Sequence, residues 1–278
     1  MLFKNKNNNM KFNQEKYIKD LSYLVSNNAT SNNNKGLQKN IGFIKDRLIS
    51  LGFKVNVIGE FTGNPVIYAI RKSRNGERKI GVYSHYDVEL TAKEKWNTPP
   101  TELKVIGERI FGRGVGDNLG IWLLRMQAIE ESSKNELPEI HWLFEGQEEM
   151  GSPLAHKEFP ELDIPLIDLW FEESGFFDLG TARQRFLTLN EDKKLNAAKN
   201  IVSSLLKNID FTSYTENRSL TKFDKCPFLT HILKNQPYLA IGPNDEYSKV
   251  HEPNESLSLP LIEKSHEQFK EILKYYAE

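Results

Sequence analysis

Side chains that bind cations or move protons recur where the chain has little reason to bury them: His85, Asp117, the pair Glu148-Glu149, Glu173 and His251. Each ends an apolar run or lies in a loop marked by Gly or Pro. His85 and Asp87 are two residues apart, so on an extended chain they point the same way. His85 could then ligate a metal while Asp87 orients its imidazole, as partners of metal-bound histidines do. Asp117 falls where a Gly-rich turn meets a helix start, and a carboxylate there can bridge two cations. Two imidazoles and three carboxylates suit a pair of zinc-like ions. A further carboxylate can act as general base on a water. Glu148 and Glu149 are adjacent and diverge, so one could face a cation and the other the water.

The elements that must position these groups alternate along the chain. Residues 1–12 are rich in Asn and Lys and are expected to fray. Tyr17, Ile18, Leu21, Leu24 and Val25 recur at helical spacing and predict a helix over 13–26. Ile41, Ile44, Leu48 and Leu51 predict a second helix that stops at Gly52. Strands are expected over 53–58, 66–70 and 79–84, then a helix over 118–131 and strands over 140–144 and 167–171. Beyond these come a strand over 179–189, helices over 192–207 and 221–233, a strand over 238–241 and a closing helix over 260–276. Alternation without repeats predicts one α/β domain over 13–278, with a mostly parallel mixed central sheet and helices on both faces, in three layers. The acids and imidazoles fall just past strand ends, where open α/β sheets place their sites.

Composition excludes several classes. The 278 residues are 38% hydrophobic and 27% charged, an ordinary globular balance. A net charge of -1 gives no electrostatic footprint for nucleic acid. The single cysteine, Cys226, rules out an internal disulfide framework and fits a reducing compartment. The first residues lack the apolar core of a signal peptide, and no run approaches the ~20 apolar residues of a membrane span. A cytoplasmic protein without membrane contact is expected.

Taken in order, SHYDV (84–88), WNTPP (96–100), FGRGVGDNLG (111–120), EGQEEMGS (145–152) and VHEPNES (250–256) carry a resemblance. The chain resembles the co-catalytic zinc exopeptidase and deacylase family, which includes aminoacylase, acetylornithine deacetylase, succinyl-diaminopimelate desuccinylase, glutamate carboxypeptidase and several dipeptidases. The resemblance implies a zinc-peptidase-like domain holding two Zn2+ ions, or Co2+ or Mn2+. It puts His85 and Glu173 on one cation and Glu149 and His251 on the other, with Asp117 bridging, Glu148 as general base and Asp87 orienting His85. Glu172 and Asp168 are alternatives to Glu173. A cis peptide after Asp117 is implied as well. The implied reaction is hydrolysis of an amide bond in a small peptide or N-acyl amino acid.

The family usually inserts a lid domain between its fourth ligand and its last. Here residues 174–250 must already supply strands and helices of the core, and domains start near ~50 residues. The lid is therefore expected to be absent, and with it the family's dimer contacts and its arginine for a substrate carboxylate. A monomer or a dimer of another kind is expected, with Arg183 and Arg185 as substitute carboxylate anchors. Two rival readings stand beside this one: a lidless aminopeptidase of the related co-catalytic zinc type, and a non-catalytic relative that binds metal or a partner.

The remaining features have plainer readings. The GRGVGDN turn lacks the Lys and Ser/Thr of a phosphate loop. His141 reads as structural, His156 and His266 as solvated on helix surfaces, and His231 as part of a helix face. Trp122, Trp142 and Trp170 read as core, and Cys226 has no neighbouring signature of a nucleophile.

Overall fold

The computed structural model describes residues 12–74, 76–91, 95–134, 137–188, 196, 198–200, 203–204, 212–217, 226–233 and 236–278. Nearly all of the expected frayed terminus, most of the helix expected over 192–207 and the first part of that over 221–233 lie outside the described residues.

Two amphipathic helices come first. Asn13 caps α1 (Gln14–Ser26) by accepting from the Lys16 amide, and Tyr17, Leu21, Leu24 and Val25 form its buried stripe. Asn33 caps α2 (Asn34–Ser50) in the same way, and the chain leaves it through Gly52 at φ +85, a conformation glycine adopts without penalty. The chain then runs through β1 (Lys54–Ile58), β2 (Val66–Arg71), β3 (Lys79–His85), β4 (Lys104–Ile106), β5 (Arg109–Phe111) and α3 (Leu119–Glu131). Next come β6 (Glu139–Glu145), α4 (Pro153–Glu158), β7 (Leu169–Glu172), β8 (Phe176–Asp178) and β9 (Arg183–Thr188). The last elements are β10 (Thr212–Asn217), β11 (Tyr238–Ala240), β12 (Asn244–Asp245), β13 (Ser256–Ser258) and α5 (Leu259–Ala277).

Ten strands make one mixed sheet in the order β1-β2-β6-β3-β7-β11-β9-β8-β12, with β10 beside β9. Its centre, β6-β3-β7-β11, is wholly parallel, and the antiparallel pairs flank it. Strands β13, β5 and β4 form a small second sheet. Side chains alternate across the central strands. Ile80, Val82, Trp142 and Phe144 join the core beneath α1, α2, α3 and α5. Tyr83, Leu143, Trp170 and Tyr238 join a second core with Ala155, Phe159 and the π-helical turn Phe228–Leu233. This is the expected three-layer α/β architecture. Gly81 is required by packing, because a Cβ there would lie 2.2 Å from the Trp170 ring. Trp122, Trp142 and Trp170 are fully buried, as read from the sequence.

Several local expectations need correction. The strand expected over 179–189 begins as a turn, which Glu246 closes by accepting from the Leu179 and Gly180 amides, each at 3.1 Å; only β9 falls within it, and β8 precedes it. Strand β10 was not anticipated. His266 is 1% exposed rather than solvated; its Nε2 lies 2.9 Å from Glu131 Oε2 and its ring packs on Phe12. The buried stripe of α5 is wide enough to take in Ser265 and His266 beside Phe269, Ile272 and Leu273. His156 is half-buried, its ring edge-on to that of His231 at 5.8 Å. His141 is structural as read, between Tyr68 Oη (2.6 Å) and Glu139 (2.8 Å).

Candidate metal centre

Parallel strands deliver their carboxyl ends to one edge of a sheet, and here that edge gathers the chemistry. His85 is the last residue of β3, the turn Glu148–Met150 follows β6, and Glu172 ends β7 with Glu173 next. Asp117 stands just before α3, and His251 comes in on the loop between β12 and β13.

The Gly-rich turn is shaped from beneath. Glu255, fully buried, accepts from the amides of Gly114 (3.0 Å), Gly116 (2.7 Å) and Asp117 (3.0 Å) and from Arg113 Nη1 (2.9 Å). Burial pushes the Glu255 carboxyl up to about 7, against the pull of Arg113 and the amides. Gly114 sits at φ +84, where a Cβ would also meet Val88 at 2.5 Å. The Asp117–Asn118 peptide is cis, as the resemblance implied.

Asp117 faces an imidazole with each oxygen. Its Oδ1 lies 2.7 Å from His85 Nε2 and its Oδ2 lies 3.1 Å from His251 Nε2. Glu149 Oε2 lies 3.0 Å from the same His251 nitrogen. Ligand atoms of His85, Asp117 and Glu149 all fall within 4.8 Å of one another. Asp87 is buried behind them. Its carbonyl oxygen is 3.1 Å, and its carboxylate 3.4 Å, from His85 Nδ1. The same carboxylate accepts from the amides of Glu148 (3.3 Å) and Glu149 (3.2 Å). Asp87 thus fixes both the imidazole and the turn that carries the glutamate pair, and only the first task was legible from the spacing.

The geometry separates the three candidates for the fourth ligand. Glu172 accepts from the Ser174 amide (2.9 Å), the Ser174 hydroxyl and Tyr238 Oη (2.9 Å), so its oxygens are taken. Asp168 accepts from the Lys79 amide (2.8 Å) at the start of β3, the opposite end of the strand from His85. Glu173 lines the same cavity as Asp117, Glu148 and His251, and its Oε2 is buried without a hydrogen-bond partner among the described residues. The cavity encloses about 600 Å³. Arg185 lines it, stacked over Phe176 at 5.0 Å, whereas Arg183, at the exposed start of β9, does not.

Charge at the site is unbalanced. Burial would lower the His85 pKa, but hydrogen bonds to Asp117 and Asp87 raise it well above its ordinary value. Asp117 and Glu149 likewise hold His251 up to about 11. Burial, reinforced by Asp117, Glu149 and Asp87 and opposed by His85, pushes Glu148 up to about 7. Burial and neighbouring Glu172 push Glu173 well above the usual carboxylate range. So many buried carboxylates would repel one another, and opposite charge within about 4–6 Å relieves that repulsion. Glu149 Oε1 and Glu173 Oε2 have no protein partner among the described residues, so the donor set fits divalent cations.

Sequence reasoning missed Arg125. It is buried on α3 and donates to the carbonyls of Glu172 and Ile241, each at 2.8 Å, so it clips the ends of β7 and β11 together below Glu173. Burial lowers its pKa to about 10, with Glu173 and Glu172 pulling it back up. A lone arginine inside the apolar run LGIWLLRMQAI was the available signal.

The sequence profile of "Peptidase family M20/M25/M40" matches residues 81–275. The Beta-Ala-His dipeptidase of Rattus norvegicus is 32% identical over 92 residues, a stretch covering 32% of this chain and 19% of that protein. The M20 family metallo-carboxypeptidase Sso-CP2 of Sulfolobus solfataricus superimposes with a TM-score of 0.75 at 15% identity, covering 94% of this chain and 99% of the other. Human carnosine dipeptidase 1 superimposes with a TM-score of 0.74 at 13% identity, covering 95% and 97%. At such identities the structural likeness establishes the fold.

Proposed function

The chain belongs to peptidase family M20/M25/M40, and from that premise we propose that it is a two-cation hydrolase cleaving the amide bond of a small peptide. The observation carrying this reading is the cluster in which His85, Asp117, His251 and Glu149 lie within about 3 Å of one another in turn, beside a cavity lined by Asp117, Glu173 and His251, with two buried carboxylate oxygens left unpartnered among the described residues. In the proposed assignment His85 and Glu173 serve one ion, Glu149 and His251 the other, and Asp117 both. Zinc, cobalt or manganese bound there would polarise the scissile carbonyl and acidify a water. Glu148 takes the proton from the attacking water and passes it to the departing amine. A group titrating near neutrality suits both halves of that transfer. Asp87 keeps Glu148 in place through its amide, and His85 through its ring.

The likeness to two dipeptidases favours a small peptide over an N-acyl amino acid. A single catalytic domain without a lid, working as a monomer or a dimer of another kind, belongs to the same proposal. The cytoplasm suits the lone cysteine, and no helix among the described residues is long and apolar enough to cross a membrane. The test is a panel of dipeptides, tripeptides and N-acyl amino acids, run on chelator-stripped protein resupplied with Zn2+, Mn2+ or Co2+. Dipeptide turnover that vanishes on stripping and returns with a cation is the expected result. No turnover of any substrate with any cation would reject the reading.

Arg185 and the exposed Lys249 both line this cavity; Arg185, half-buried and held over Phe176, is the better fixed of the two, and a charge-assisted hydrogen bond contributes about 1.5–3 kcal/mol. Arg185→Ala should therefore raise KM for a dipeptide by roughly 10–100-fold with little change in kcat. Arg183→Ala should leave both unchanged. Equal effects of the two substitutions would show that the substrate carboxylate is anchored elsewhere.

A further inference from the structure

Glu89 lies just past β3, two residues beyond Asp87, and has no role in the two-cation assignment above. One carboxylate oxygen of Glu89, one of Glu149 and one ring nitrogen of His251 fall within 4.8 Å of one another. Two ligands on one ion are separated by at most twice a bond of about 2.0–2.4 Å, so this spacing suits a shared cation. Three groups from distant parts of the chain meet here: the end of β3, the turn after β6 and the loop before β13.

A second observation points to a ligand at the same place. The Glu149 side chain is 5% exposed, and while its Oε2 lies 3.0 Å from His251 Nε2, its Oε1 is buried without a partner among the described residues. An orphaned buried carboxylate oxygen costs free energy unless something outside the protein pairs with it. His251 also holds a left-handed backbone at φ +63, a strain that clusters at ligand sites.

We propose that Glu89 is a further cation ligand, forming with Glu149 and His251 an oxygen-rich outer position. Two carboxylates and one imidazole favour harder divalent ions than a histidine-rich set does. The cation class is a divalent ion tolerant of oxygen ligands, with Glu89 narrowing any advantage of zinc over manganese. The proposal rests on the two-cation reading, but it is read out separately from turnover.

The experiment is a Mn2+ titration of chelator-stripped full-length protein, following loss of the free-ion electron paramagnetic resonance signal. Wild type should take up two ions. Glu89→Gln, isosteric at a half-buried position, should take up one with unchanged affinity and the other at least ~10-fold more weakly. Glu89→Asp, which withdraws the oxygens by one methylene, should fall between them. Zn2+ competition should show a smaller loss for zinc than for manganese. Two ions bound by Glu89→Gln with wild-type affinities would overturn the role of Glu89 and leave the two-cation reading standing. A wild type that takes up no ion would overturn both.

Discussion

Glu148→Gln should lower turnover by about 10²–10⁴-fold, the usual contribution of general acid–base catalysis, while cation uptake stays at the wild-type level. The two halves follow from different atoms. The substituted amide side chain would keep the volume of the glutamate, and the backbone N–H that donates to Asp87 at 3.3 Å would remain, so the turn bearing Glu149 should not move. The variant would lack a basic oxygen to receive the proton from water and an acid to protonate the departing amine. The wild-type carboxyl, pushed to about 7 chiefly by burial, is matched to that exchange near neutral pH. Bound metal and rate should be measured on the same sample. If metal and rate are lost together, Glu148 is a ligand and the roles of Glu148 and Glu149 are exchanged. A rate within a few-fold of wild type would remove Glu148 from the mechanism.

The parts of the site that could be read from the chain are those where residue type contradicts context. His85, Glu148-Glu149 and Glu173 follow apolar strands that have no structural use for them, and Asp117 and His251 sit in Gly- or Pro-marked loops. The alternation of strands with helices pointed to a mostly parallel sheet, and the acids and imidazoles just past its strand ends to one shared edge. What stayed hidden depends on direction and register. Glu172 and Glu173 are neighbours of the same type, and only the partners Ser174 and Tyr238 show which is occupied. Arg183 and Arg185 stand two apart on one strand, and position along β9 decides that only Arg185 reaches the cavity. His266 was misplaced because helical periodicity gives a stripe without its width. Glu89 follows a quoted motif by one residue and meets His251 only through tertiary folding. The β8–β9 turn was missed because its closing group, Glu246, is distant in sequence.

Glu255→Ala should destabilise the fold by about 3–5 kcal/mol, the cost of removing one partner of a buried ion pair, and should weaken cation binding as well. Glu255 is fully buried and Arg113 is 2% exposed, so the guanidinium would lose its carboxylate where water cannot replace it. The amides of Gly114, Gly116 and Asp117 would lose their acceptor at the same time. The damage should spread along two paths. Arg113 stacks on Trp96 at 5.2 Å, which ties the WNTPP segment to the Gly-rich turn. The Asp117 amide is anchored directly by Glu255, so the carboxylate that faces both imidazoles should lose its fixed position. A paired replacement separates the effects. Arg113→Met with Glu255→Leu removes both charges and should recover much of the stability, since apolar substitutes for buried ion pairs are often neutral or better. It should not recover cation affinity, because the three amides would still lack an acceptor. Urea denaturation and a Mn2+ titration on each variant give the two readouts. Glu255→Ala with an unfolding free energy within about 1 kcal/mol of wild type would show that the pair contributes little to stability. Full cation affinity in the double variant would show that the turn holds Asp117 in place without Glu255.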